Sequence, residues 1–92
     1  MGENRQKFRE GELLLRMSEG PFRLRIVVSK KVAKQAVRRN RIRRVLREAS
    51  RKELGAAKEG QGMVLTVLPG FRVTKTQEAQ EILRRLFRKA SL

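Results

Sequence analysis

Cationic side chains dominate the middle of the chain and are the groups there that could do chemistry. Lysine and arginine recur between residues 30 and 51, and Glu48 is the one carboxylate among them. Arginine presents a planar fork of hydrogen-bond donors that matches phosphate and can stack on bases. Since the whole chain has 16 arginines and 8 lysines, the composition favours nucleic acid as the ligand.

The charge of the whole chain supports a polyanionic partner. Lysine and arginine number 24 against 9 acids, which gives a net charge of +15 and an isoelectric point near 11.8. Such a charge concentrates polyanions around the protein and opposes its own compaction. A supercharged surface that only keeps the protein soluble is the alternative. The chain has no tryptophan to anchor it at a membrane surface, so we expect no membrane partner.

The residue types that are absent exclude most catalytic chemistry. The chain has no cysteine, histidine or aspartate, and its nine carboxylates are all glutamates scattered among basic residues. Thiol nucleophiles, disulfides, the usual zinc sites and imidazole catalysis are therefore excluded, and a two-metal nuclease site is disfavoured. We expect no catalytic residue and no metal ligand in the chain. If the protein serves an enzyme, another component supplies the chemistry.

Length and hydropathy indicate a small cytoplasmic domain. The chain has 92 residues, fewer than the usual range of about 100 to 150 for one domain, so we expect a single domain over residues 1–92. No apolar run approaches the roughly 20 residues that span a bilayer, and residues 1–12 lack the apolar core of a signal peptide. Residues 1–11 are interpreted as a short or frayed helical lead-in.

Two alternating segments predict strands before the basic region. Residues 13–17 alternate between the two faces, and turn-forming residues 18–21 follow, which predicts a strand and a hairpin turn. Residues 22–29 repeat the alternation with a clear apolar face. Arg23 and Arg25 then point to the opposite face, where they either contact phosphate or stay solvated.

The basic region itself predicts a connector followed by an amphipathic helix. The connector spans residues 30–35, and the helix is predicted from Ala36 to Leu54, where Gly55 provides a stop signal. An apolar stripe about 100° wide runs along one side, and it consists of Ile42, Val45, Leu46 and Ala49. The opposite face carries Asn40, Arg43, Arg44, Arg47 and Arg51. The charges on that face repel one another and lower helix stability unless an anion binds them.

The remaining chain predicts one more strand and one more helix. Residues 63–68 form an apolar run closed by Pro69-Gly70, which is typical of a strand covered on both faces. Thr74 and Gln77 resemble a capping box, and apolar residues then recur at helical spacing. The last turns carry Arg84, Arg85, Arg88 and Lys89, where the helix dipole also favours cations. The order strand, strand, helix, strand, helix predicts an α/β two-layer sandwich.

An ordered string of residues across the connector and the first helix sharpens this prediction. Ser29-Lys30-Lys31 follows a strand, and the helix then carries Arg39-Asn40-Arg41, Arg43-Arg44 and Arg47-Glu48. This string resembles the signature of the ribonuclease P protein family, and the later strand and closing helix resemble that family in outline. The resemblance covers roughly residues 13–90. Before it, Phe8-Arg9-Glu10-Gly11 is interpreted as the end of the family's N-terminal helix.

The resemblance implies both a fold and a function. The expected fold is an α/β (α+β) two-layer sandwich with a small mixed sheet, two helices and a left-handed βαβ crossover, similar to the ribosomal-protein-like RNA-binding fold. The expected function is that of the accessory protein subunit of ribonuclease P, whose RNA subunit, with Mg²⁺, removes the 5′ leader from precursor tRNA. The protein is expected to be monomeric in the holoenzyme, with Mg²⁺ bound through the RNA subunit, and to bind no DNA.

The candidate binding residues follow from the motif and the basic helix face. For the RNA they are Lys30, Lys31, Lys34, Arg39, Asn40, Arg41, Arg43, Arg44, Arg47 and Arg51. For the single-stranded leader, which needs stacking platforms and a basic groove, they are Phe8, Phe22, Arg23 and Arg25. Phosphate contacts of this kind hold orientation and give salt-sensitive affinity without reading much sequence.

Two other functions remain open from the sequence. A ribosomal or ribosome-assembly RNA-binding protein would share the size, the charge and the basic helix but would need no leader-binding cleft. A DNA-binding regulator would use residues 36–54 as a recognition helix, and the strands predicted on both sides argue against it.

Overall fold

A computed structural model describes residues 6–20, 23–54 and 61–90. In that part of the chain, four strands form one mixed sheet in the order β1-β2-β4-β3, and two helices pack against it. The elements are β1 (Gln6–Glu10), β2 (Leu13–Glu19), β3 (Arg23–Val28), α1 (Ala36–Leu54), β4 (Gln61–Val67) and α2 (Thr76–Lys89). The two-layer sandwich predicted from the sequence is confirmed, and α1 has the bounds that periodicity and Gly55 predict.

Strand β4 occupies the centre of the sheet and pairs on both sides. It is antiparallel to β2 and parallel to β3, with Val28 opposite Val67 at the end of the parallel pair. The predicted hairpin between residues 13–17 and 22–29 is therefore wrong, because β4 separates those strands. The central place of β4 suits its apolar run, because a neighbouring strand shields it on each side. The helices cover only one face of β4, and Val64 on the other face is only partly buried, so the expected cover on both faces is wrong. The unit β3-α1-β4 is the expected βαβ crossover, and its left-handed sense stays a prediction.

The structure corrects the interpretation of the N-terminal lead-in. Residues 6–10 form an edge strand rather than the end of a helix, and β1 pairs antiparallel with β2 from Gln6 opposite Met17 to Glu10 opposite Leu13. Gly11 has a φ of 58°, in the left-handed region that glycine adopts without strain, and this tight turn reverses the chain. Alternation decides the strand, because Phe8 packs toward the core while its neighbours Lys7 and Arg9 are exposed.

The core lies between one face of the sheet and the two helices. The sheet contributes Leu13, Leu15, Met17, Ile26, Val28, Met63, Leu65 and Val67, all at most 7% exposed. The helices contribute Leu46, Ala49, Leu54, Ala79, Leu83, Leu86 and Phe87. The predicted stripe of α1 thus faces the core, with Ile42 and Val45 partly buried at its margin. Burial of this apolar area is the main term that opposes the charge repulsion of the chain.

Helix α2 begins without the predicted capping box. Its first residue is Thr76, and Lys75, which precedes it, is extended and makes no capping bond through its side chain. Thr74 therefore lies outside the helix, and the box formed by Thr74 and Gln77 is wrong. Glu78 in the first turn complements the positive end of the helix dipole instead.

Two carboxylates tie α2 to the rest of the fold. Glu53 of α1 accepts hydrogen bonds from Gln80 at 3.1 Å and from Arg84 at 3.2 and 3.1 Å. Glu10 of β1 pairs with Lys89 at 2.8 Å and with Arg85 at 3.7 Å. The bond from Arg84 lowers the pKa of Glu53, and the bond from Lys89 lowers the pKa of Glu10. Part of the basic cluster at the end of α2 is therefore structural.

Neither α1 nor α2, the helices of the described residues, has both the length and the hydropathy that crossing a bilayer requires.

Candidate nucleic-acid interface

The outer side of α1 carries the row of donors predicted from the helical wheel. We call this row the arginine face, and it consists of Asn40, Arg43, Arg44, Arg47 and Arg51. Arg43 is partly buried and the other four residues are exposed. Together with Glu48 and Lys52 they line a shallow groove of about 490 Å³. The face is open to solvent along most of the helix, as a surface that receives a polymer must be.

Local acids do not neutralise the arginine face. Glu48 lies at its margin and pairs with Lys52 at 3.7 Å, with both side chains more than half exposed, so this ion pair contributes little. Among the described residues, no carboxylate lies within ion-pairing distance of Arg44 or Arg47. Because cations spaced three and four residues apart repel one another, an anion bound here would relieve a cost that the free helix carries.

The helix holds this face in a fixed position. Leu46 and Ala49 are fully buried on the other side of α1, and Glu53 joins its last turn to α2 through Gln80 and Arg84. A face fixed in this way binds a polymer with a smaller loss of conformational entropy than mobile side chains on a loop would.

A second basic surface surrounds a cleft at the carboxyl ends of β3 and β4. These strands are parallel and end opposite each other, so the connector of residues 30–35 and the segment of residues 68–74 leave the sheet at the same edge. Between them and the start of α1 lies a cavity of about 560 Å³, the basic cleft. Its cations are Lys31, Arg38, Arg41 and Arg72, and its apolar lining includes Val32, Ile42, Phe71 and Val73. Ligands commonly bind at the carboxyl ends of parallel strands.

Two of the cleft cations, Arg38 and Arg72, were not among the predicted binding residues. Arg38 lies four residues before Ile42, so it continues the apolar stripe of α1 toward the start of the helix. A cation at a stripe position was the signal in the sequence that this first turn is not covered by the core. Arg38 also lines a groove of about 490 Å³ with Lys30 and Lys34. Arg72 follows β4 by five residues, and only the tertiary fold places it beside the connector.

The three residues of the Arg-Asn-Arg motif, Arg39, Asn40 and Arg41, lie in three different environments. Arg39 is partly buried and turns back toward the connector, where its Nη1 donates to the carbonyl oxygens of Ala33 at 3.0 Å and Lys34 at 2.7 Å. The Asn40 side-chain oxygen accepts a hydrogen bond from Arg43 Nη1 at 2.8 Å. Arg41 lines the basic cleft. The structure therefore places Asn40 on the arginine face, Arg41 on the cleft and Arg39 on neither.

The predicted leader-binding residues are not brought together. Arg23 and Arg25 are exposed on the face of the sheet that points away from the helices, as predicted. Phe8 lies on the helix-facing side of β1 and packs against the core, so it offers no platform beside those arginines. Phe22 lies outside the described residues.

The uncovered face of the sheet is itself basic. The strand register places Lys7, Arg16, Val64 and Arg25 in one row across all four strands, and the three cations are exposed. Val27, on the same face, is 37% exposed. Cations around partly exposed apolar side chains suit an unpaired strand of nucleic acid, which combines a charged backbone with flat apolar bases.

Known proteins are similar in sequence to this chain over most of its length. The family model described as Ribonuclease P matches residues 2–91. A ribonuclease P protein component of a Pseudanabaena species is 41% identical over 70 residues, which cover 76% of this chain and 60% of that protein. One of Xanthomonas axonopodis is 38% identical over 77 residues, which cover 84% of this chain and 53% of that protein. The chain therefore spans between about half and three-fifths of the length of these relatives.

Solved structures share the fold. The RNase P protein of Staphylococcus aureus matches with a TM-score of 0.79 at 23% identity, over 94% of this chain and 81% of that one. The RNase P protein of Thermotoga maritima matches with a TM-score of 0.78 at 23% identity, over 94% of this chain and 84% of that one. A small mixed sheet with two helices is thus a fold that proteins of this kind adopt.

Proposed function

The chain belongs to the ribonuclease P protein family, and from that membership we propose that it acts as the RNA-binding subunit of ribonuclease P. In this role it assists a catalytic RNA in removing the 5′ leader from precursor tRNA. The observation that carries the proposal is the arginine face of α1, which the described carboxylates leave without counter-charges, beside a basic cleft at the edge of the sheet.

The chain contributes binding and orientation rather than bond cleavage. It has no histidine, cysteine or aspartate, and guanidinium and ammonium groups keep their protons at neutral pH. Within the described residues, no cluster of three or more acidic side chains converges on a point where a metal ion could bind. We therefore assign cleavage to the RNA subunit and Mg²⁺ to sites on that RNA.

The three basic surfaces suit two different RNA segments. The arginine face is long, shallow and almost wholly polar, which fits the phosphates of a folded RNA such as the RNA subunit. The basic cleft and the uncovered sheet face combine cations with apolar side chains, which fits the single-stranded leader. Because the arginine face and the basic cleft lie on different sides of α1, one protein molecule can contact both segments at once, which fits a monomer in the holoenzyme.

A ribosomal or ribosome-assembly protein is the alternative, and the family match disfavours it. Such a protein would share the charge and the basic helix but would need no surface for an unpaired strand. A partner RNA of either kind is consistent with a cytoplasmic protein.

Reconstitution tests the proposed function directly. A bacterial ribonuclease P RNA is mixed with the chain, and cleavage of precursor tRNA is followed at a low Mg²⁺ concentration where the RNA alone is slow. We expect the chain to raise kcat/KM for a precursor with a leader of about eight nucleotides more than for one with a single-nucleotide leader. A chain that leaves both rates unchanged, although it is folded by circular dichroism, contradicts the proposal and favours the ribosomal alternative.

A further inference from the structure

Arg39 opens the Arg-Asn-Arg motif but has a different environment from the other arginines of α1. Its guanidinium folds back over the connector and bonds two successive carbonyl oxygens, those of Ala33 and Lys34, at 3.0 and 2.7 Å. Arg44 and Arg47, by contrast, are exposed on the arginine face. Both bonds come from Nη1, so one end of this guanidinium is held by the backbone of the connector.

The connector has few other restraints, which are the packing of Val32 against the core and hydrogen bonds at its two ends. At its β3 end, the backbone amides of Val32 and Ala33 donate to the carbonyl oxygen of Ser29 at 3.1 and 3.4 Å. At its α1 end, Ala33 and Lys34 precede the helix, and the Arg39 side chain supplies donors to their carbonyl oxygens. The connector is thus closed by a turn on one side and by Arg39 on the other.

Electrostatics explains why a cation can be held at this position. The first turn of α1 contains no acid, and the partial positive charge of a helix N-terminus disfavours a cation there. Two carbonyl oxygens supply the compensating partial negative charge. The bonds therefore stabilise the Arg39 guanidinium and the connector together.

We propose that Arg39 is a positioning residue that fixes the connector and thereby presents Lys31 and Lys34 to the RNA. Lys31 lines the basic cleft, and both lysines are exposed. Loss of the restraint returns backbone freedom to the connector, and RNA binding must then remove that freedom. The inference rests on the proposed function for its RNA partner, whereas the restraint itself is a property of the free protein.

The first experiment uses the free protein. In Arg39→Gln, we expect the NMR order parameters of the connector amides to fall from values near 0.85, typical of rigid backbone, to below about 0.6, while the amides of α1 beyond its first turn keep their values. Arg44→Gln is the matched control, since it removes the same charge from an exposed position of the same helix. Connector order parameters that stay unchanged in Arg39→Gln overturn the proposal.

The second experiment is a double-mutant cycle on affinity for a bacterial ribonuclease P RNA. Arg39→Gln is expected to weaken binding about tenfold in the wild-type chain and less than about twofold in Lys31→Ala/Lys34→Ala, because the lysines that it positions are then gone. Arg44→Gln is expected to weaken binding equally in both backgrounds. Equal losses for Arg39→Gln in the two backgrounds show a direct phosphate contact and refute the positioning role.

The two arms separate this inference from the proposed function. A wild-type chain that fails to bind the RNA refutes the proposed function, and the order parameters still decide whether Arg39 holds the connector.

Discussion

Neutralising two arginines of the arginine face should reduce both the affinity for RNA and its dependence on salt. The variant is Arg44→Gln/Arg47→Gln, which removes two exposed guanidinium groups that have no carboxylate partner among the described residues. If each group neutralises one phosphate, the slope of log affinity against log salt becomes shallower by about 1.6. This value is midway between the changes expected for losing two contacts to duplex nucleic acid, about 1.8, and to single-stranded nucleic acid, about 1.4.

The same slope fixes the expected loss of affinity at each salt concentration. Relative to an extrapolation to 1 M salt, where counterion release no longer contributes, affinity should fall about 40-fold at 0.1 M and about 7-fold at 0.3 M. Stability should not fall, because removing neighbouring like charges from a helix face is worth about 0.2 to 0.5 kcal/mol per pair. Fluorescence titrations of a bacterial ribonuclease P RNA at four salt concentrations, with urea unfolding alongside, measure all three quantities.

A control on the other helix isolates the contribution of the face from that of net charge. Arg85→Gln/Arg88→Gln makes the same change in charge on α2, where Arg85 makes only a long, exposed ion pair with Glu10 and Lys89 still holds that carboxylate. We expect this variant to keep a slope within about half a unit of wild type. If the α1 and α2 variants lose affinity and slope equally, binding follows total charge, and the assignment of the arginine face is refuted.

Three further predictions concern the fold. Ser50→Ala should raise the free energy of unfolding by about 1 kcal/mol, because the Ser50 hydroxyl is buried with no hydrogen-bond partner in the described part of the chain and alanine is the better helix former. A loss of stability in urea unfolding would contradict this and would mean that the hydroxyl has a partner. Leu83→Ala should lower that free energy by about 2 to 5 kcal/mol, because Leu83 of α2 is fully buried in the core and its truncation leaves a cavity. A loss below about 1 kcal/mol in urea unfolding would contradict the described core. Stability should also fall as the pH drops below about 4.5, because hydrogen bonds hold the pKa of Glu53 and of Glu10 below the ordinary value. A lowered pKa gives stability that is present above the unfolded pKa and is lost as the pH falls through the folded pKa. In thermal melts, Glu53→Gln should therefore be less stable than wild type at pH 7 and lose less stability between pH 5 and pH 3, and parallel pH profiles for the two proteins would contradict this.

The local features of the chain could be read from its residues alone. The buried stripe of α1 and the arginine face depend on residues three or four positions apart, so the helical repeat determines them. The end of α1 depends on the stop signal at Gly55. The restriction to binding chemistry depends only on which residue types are present. The resemblance to the ribonuclease P protein family rests on a string of residues that lies within the same short region.

The features that the sequence did not predict depend on contacts between distant segments. The turn formers after β2 suggest a hairpin with β3, but β4 competes for the same edges and takes the central place, which suits its apolar run. Residues 6–10 become a strand because β2 offers them a free edge across the turn at Gly11.

The site shows the same division between local and distant contacts. Helical spacing places Asn40, Arg43, Arg44, Arg47 and Arg51 together without any knowledge of the fold. The basic cleft exists only because parallel pairing of β3 with β4 brings Arg72 beside Lys31. The motif predicts that Arg39 binds RNA, whereas its hydrogen bonds show that it holds the connector. Only the coordinates show that the carbonyl oxygens of Ala33 and Lys34 lie within its reach.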